Sequence, residues 1–192
     1  MLTHDHADHA EATAAIQARF PTAQRAGSRG DVDHVLGDGE RIGPFEAVST
    51  PGHAPDHLAY IAGDVAFTGD AVLGEGSVFI SPDPGALAGY LDGLRRLRAR
   101  GLAALAPGHG PLVLDADAKL EEYIAHRLDR ERRLIAALDD GLRGVEELLD
   151  RVWDDAPAQL RPAAAVTLAA HLDKLREEGR LPSGVERPAG RL

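Results

Sequence analysis

Four short segments rich in histidine and aspartate lie far apart in this chain of 192 residues, and they restrict its fold more than any other feature. They are Thr3-His4-Asp5-His6-Ala7-Asp8-His9, Thr50-Pro51-Gly52-His53, Thr68-Gly69-Asp70 and Pro107-Gly108-His109-Gly110. Each follows a run that reads as a β-strand or as the end of one. Loops that follow strands gather at one edge of a sheet, so distant segments can converge there.

The rest of the pattern agrees with an α/β chain. Residues 9–20 read as a helix, with Ile16 and Phe20 four apart and Pro21 ending it. Residues 45–49 read as a short strand. Residues 58–62 and 65–68 read as a hairpin across Gly63-Asp64. Leu87, Tyr90, Leu91, Leu94 and Leu97 form a helical stripe that Gly101 stops. Residues 102–106 and 112–114 read as strands, and 115–138 as a long helix. Residues 145–153 and 162–178 read as two further helices, followed by a polar tail expected to be mobile. Residues 1–140 carry 13 Lys+Arg and 22 Asp+Glu, hence -9, while 141–192 carry 8 and 9, hence -1. That shift, with Gly141 and Gly144, predicts two units, 1–140 and 141–192.

Composition narrows the chemistry. There is no cysteine, which excludes a disulfide framework, a thiolate nucleophile and cysteine-based metal sites. Aromatics make up 4%, so the core must be mostly aliphatic. No apolar run approaches the roughly 18 residues of a membrane span. No basic-then-apolar leader precedes His4. A cytoplasmic protein without membrane contact is expected. The net charge of -10 gives no support to strong nucleic-acid binding, which needs clustered cations.

Imidazole nitrogens and carboxylate oxygens suit zinc, manganese or iron. The segments offer seven ligands: His4, His6, Asp8, His9, His53, Asp70 and His109. A tetrahedral zinc takes about four, water included. Two divalent ions therefore fit better, with His4, His6 and His53 on one, Asp8, His9 and His109 on the other, and Asp70 between them. Such ions stand roughly 3.5–4 Å apart and generate hydroxide at neutral pH. Asp8 is expected to orient that hydroxide as a catalytic residue. His57 reads equally as a supporting or substrate-facing residue and as a packing one. His34 and His126 read as structural, and His171 as part of the last helix. The arginines at 95, 96, 98 and 100, and at 127, 130, 132 and 133, read as solvated helix faces.

His4-x-His6-x-Asp8-His9, then His53, Asp70 and His109 in their motifs and order, resemble the metallo-β-lactamase superfamily. Residues 50–57, 107–111 and 167–181, with His126-Arg127 in a long helix, are similar to its beta-lactamase-like protein 2 branch. The resemblance implies an αβ/βα sandwich with a dinuclear, usually zinc, site and a winged-helix-like C-terminal module. It implies hydrolysis of esters, thioesters, lactams or phosphodiesters, single-stranded RNA included for eukaryotic relatives of this branch. The Asp8-His9 pair points away from a true β-lactamase. In the family several strands precede the first histidine cluster, whereas here only Met1 and Leu2 do. A shortened sandwich that lacks its first strands is therefore expected, with self-association through the incomplete sheet. The leading expectation is a metal-dependent hydrolase of an ester-type or phosphodiester bond. A glyoxalase II-like thioesterase is the alternative on the same ligands. Outside this class stand an inactive fragment and a non-enzymatic nucleic-acid-binding module.

Overall fold

The computed structural model describes residues 1–189. Its main sheet has five strands: β3 (Arg41–Ile42), β4 (Phe45–Ser49), β5 (Leu58–Ala62), β6 (Val65–Gly69) and β7 (Ala104–Pro107), in that spatial order. β3 to β6 pair antiparallel, and β7 lies parallel to β6. It follows that β4, β6 and β7 run in one direction and end at one edge. Two shorter strands, β1 (Ala26–Gly27) and β2 (His34–Val35), form a separate parallel pair. Val113 bridges to Leu105 on the outer side of β7, where a short strand was expected at 112–114.

Apolar residues on one face of this sheet pack under α3 (Ala86–Arg98) and α4 (Ala116–Asp139). Leu87, Tyr90, Leu94 and Leu97 are buried, as the helical stripe requires. Ala47, Leu58 and Tyr60 point to the opposite face, with Ala26 and Leu36 over them. Asp115 caps α4 by accepting from the Ala118 N–H at 3.0 Å.

At 24 residues, α4 is about 36 Å long and serves two cores. Leu120, Tyr123 and Ile124 face the sheet. Leu134, Ala137 and Leu138 pack with α5 (Val145–Val152) and α6 (Arg161–Glu177). A 3-10 turn at Ala158–Leu160 joins these two helices.

Three expectations need correction. Arg127 and Arg130 of α4, read as part of a solvated helix face, are buried, because they donate to the Val78 and Val152 carbonyls of segments packed over them. Residues 9–20 are not one helix: α1 (Ala7–Ala10) and α2 (Thr13–Arg19) are separate. The first turn is held by the histidine cluster, whereas α2 buries no residue and leaves Ile16 and Phe20 exposed. The tail is also more anchored than its composition suggests. Glu186 N–H donates to the Arg143 carbonyl at 2.9 Å, Arg187 pairs with Asp173, and Pro188 is buried. The last part of that tail, 190–192, lies outside the described residues.

His171 is fully buried on α6, its ring 5.9 Å from that of Trp153, and neither ring nitrogen has a hydrogen bond among the described residues. Burial first, then the charges of Arg127 and Lys174, push its pKa from 6.5 down to about 3. The unfolded chain binds the extra proton below pH 6.5 and the folded chain does not. Stability that is complete above 6.5 is therefore lost as pH falls from 6.5 towards 3. Urea unfolding in the presence of chelator should show this loss, and His171→Leu should reduce the difference between the midpoints at about pH 7 and about pH 4.5.

Candidate metal centre

The edge where β4, β6 and β7 end carries three of the histidine and aspartate segments. The fourth comes from the chain start. Leu2 N–H donates to the Ala26 carbonyl and Leu58 N–H to the Thr3 carbonyl, both at 2.8 Å. The Tyr60 hydroxyl also donates to the Leu2 carbonyl. Residues 2 and 3 are thereby tied to β1 and β5, and His4 enters the edge beside Asp70. His6 precedes α1, which places Asp8 and His9 on its first turn.

All seven expected ligands meet there. Ligand atoms of His4, His6 and His53 lie within 4.8 Å of one another. The same holds for His4, His9 and Asp70, and for Asp8, His9 and His109. His53 Nε2 is 3.0 Å from His6 Nδ1 and 3.6 Å from Asp70 Oδ2. His9 Nε2 is 3.3 Å from Asp70 Oδ1, and His109 Nε2 is 3.1 Å from Asp8 Oδ2. Asp70 thus stands between the two groups. In the first group His4 and His53 are buried and His6 is half-buried, while Asp8 and His109 are open to solvent.

This donor set fits metal cations. His4 Nε2, His9 Nε2 and Asp70 Oδ1 are enclosed in the cluster without a hydrogen-bond partner among the described residues. Each such atom costs about 1–3 kcal/mol if nothing satisfies it. Burial and the neighbouring His9 and His53 hold the His4 pKa down at about 3, and burial lowers that of His53 against the pull of Asp70. Both rings are neutral at neutral pH and keep lone pairs for a cation. Nitrogen and carboxylate donors suit zinc, manganese or iron.

His57, left open between two roles by the sequence, supports Asp70. It is fully buried, accepts from the Asp70 N–H at Nε2 (3.0 Å) and has Nδ1 2.8 Å from Thr50 Oγ1. That pairing leaves the ring proton on Nδ1. Burial keeps the ring neutral. Gly69, with φ +48, makes the turn, and a Cβ there would fall 2.8 Å from His57 Nε2. His34 lies apart, bonded to Gln24. His126, read as structural, instead lines a cleft of about 410 Å3 that runs from His53 and Asp70 to the C-terminal helices. Phe79, Leu73, Val78, Trp153 and Leu160 make much of its wall apolar. No local motif signals this cleft, because its walls come from segments far apart in the chain.

Gly108 is a tight point of the edge and lies directly against two candidate ligands. A Cβ there would stand 2.6 Å from His9 Cε1 and 2.7 Å from Asp70 Oδ1. Gly108→Ala should therefore displace two candidate ligands and lower zinc affinity by roughly 10–100-fold, the range for disturbed ligand support. Chelator competition measures this, and an unchanged affinity would contradict the packing described.

Residues 27–109 match the metallo-beta-lactamase superfamily, and residues 145–183 match the beta-lactamase associated winged helix domain. A beta-lactamase-like protein 2 homologue from Caenorhabditis elegans is 29% identical over 76% of this chain and 50% of its own. An atrochrysone carboxyl ACP thioesterase from Aspergillus chevalieri is 33% identical over 85% of this chain and 58% of its own. The crystal structure of a metallo-beta-lactamase family protein from Thermus thermophilus has a TM-score of 0.64 and 33% identity, covering 76% of this chain and 50% of that one. The chain spans about half the length of these relatives. On the mixed α/β fold, the ordered ligand segments and these two matched regions, the chain carries a metallo-beta-lactamase superfamily domain and the winged helix domain associated with it.

Proposed function

We propose that this chain is a metal-dependent hydrolase acting on an ester or thioester with a largely apolar acyl part. One observation carries the reading: His53 and Asp70 of the seven-residue ligand cluster line one end of a largely apolar cleft. In this reading His4, His6 and His53 hold one divalent cation, Asp8, His9 and His109 hold a second, and Asp70 serves both. When bound, two such cations supply a nucleophile from water at neutral pH and Lewis acidity towards an acyl oxygen. Asp8, exposed and 3.1 Å from His109 Nε2, orients the attacking water and accepts its proton. His57 fixes the Asp70 backbone. Phe79, whose ring is 4.6 Å from that of His53, excludes bulk water and seats the acyl part. Residues 1–140 supply the chemistry, and side chains between Trp153 and Thr167 close the far wall of the cleft. The similarity to an ACP thioesterase supports a thioester.

Single-stranded RNA is the second substrate class, supported by the winged helix match. The surface of α6 weighs against it. Lys174 pairs with Glu131 and Glu178, and Arg176 pairs with Asp173, so these cations are already neutralised.

Metal analysis of the purified chain should find about two ions per chain. Asp70→Ala should reduce that content and lower turnover of thioester panels by at least about 100-fold. Retained turnover would refute the role given to Asp70. Cleavage of single-stranded RNA with no thioester turnover would exchange the two substrate classes.

A further inference from the structure

The α4 edge of the cleft presents His126, Arg127 and Arg130, and the reaction above uses none of them. Arg130 is buried and heavily committed. Nη1 donates to the Val152 carbonyl, Nη2 to both Asp155 oxygens at 2.7 Å, and Nε to His126 Nε2 at 3.3 Å. A guanidinium keeps its protons, so His126 Nε2 must accept and the ring proton sits on Nδ1. Burial, then the charges of Arg127 and Arg130, hold the His126 pKa at about 4, so the ring is neutral. Nδ1 has no protein partner among the described residues and is not an enclosed atom.

Arg127 is 2% exposed. Its Nη2 donates to Ser77 Oγ at 2.9 Å and to the Val78 carbonyl. The guanidinium carbon lies 5.7 Å from the Tyr90 ring centre, Nε is enclosed without a hydrogen-bond partner, and Nη1 has neither a hydrogen-bond partner among the described residues nor full enclosure. Among the described residues no carboxylate pairs with Arg127, and Asp155 is committed to Arg130. This edge therefore sets two guanidinium charges against one carboxylate. It offers N–H donors and no free acceptor. A buried, unpaired guanidinium is costly unless a ligand brings the counter-charge.

We propose that this edge is a subsite for a carboxylate at the far end of the acyl part, held by Arg127 and by the Nδ1–H of His126. The substrate class is thus a half-ester or half-thioester of a dicarboxylic acid with an apolar middle. This rests on the hydrolase reading above. Asp155 and Arg130 are positioning residues: they fix the His126 tautomer from the C-terminal side.

The test compares N-acetylcysteamine thioesters of butyric, hexanoic and octanoic acid with the half-thioesters of succinic, adipic and suberic acid. The full chain is used, loaded with zinc. One carboxylated member should exceed its plain counterpart roughly tenfold in kcat/KM, mainly through KM, as a charge-assisted contact would give. That ratio should fall to near one in His126→Phe and in Arg127→Met. Arg127→Lys, which keeps the charge without the fork, reads the same ratio should the methionine variant not fold. Ratios unchanged in every folded variant overturn the subsite. Ring nitrogen-15 spectra of the zinc-free chain need no turnover. They should show His126, identified by its loss in His126→Phe, protonated at Nδ1 and bare at Nε2. Millimolar hexanoate should shift that signal in the native chain and not in the folded Arg127 variant. A protonated Nε2, or no shift, overturns the subsite even when thioesters are cleaved. A shift without any turnover instead sinks the hydrolase reading and leaves the subsite standing.

Discussion

Unsatisfied lone pairs, enclosed at the end of a sheet, are the constraint on which the rest of this structure depends. His4 and His9 each keep a ring nitrogen, and Asp70 an oxygen, without a hydrogen bond among the described residues. Several such atoms within a few ångströms are expensive in a protein interior without a cation to share. The fold is built to hold them there. Parallel directions in β4, β6 and β7 bring three loops to one edge, the paired start of the chain brings the fourth, and glycines 69 and 108 leave room for side chains to meet.

Support for the ligands is asymmetric. Asp70 is held from behind by His57, which spends both ring nitrogens on that task and on Thr50. The Asp8 and His109 side has no comparable buried brace and faces solvent. A rigid inner group beside an open outer one suits a reaction in which water and a leaving group must come and go on one side only.

Local pattern made much of this legible. The hairpin of β5 and β6, the stripe of α3 and the length of α4 follow from periodicity and from Gly63-Asp64. The ligand segments are legible because metal chemistry needs specific side chains at short spacings. β1, β2 and β3 were missed: each has two residues, too few for alternation to register. The break between α1 and α2 was missed because the ligands, not helix propensity, set it. His126 looked structural and Arg127 like part of a solvated helix face. Their placement depends on Trp153, Asp155 and Leu160 folding back against them, which no local window contains.

The double duty of α4 has one more consequence. Its first half is cemented to the sheet and its second half to α5 and α6. Between those halves sit the residues that face the cleft. A chimera that received a foreign winged helix domain after Asp139 would inherit a mismatched seam along Leu134 and Leu138. To retain the native geometry, the graft would have to begin upstream, inside the helix itself.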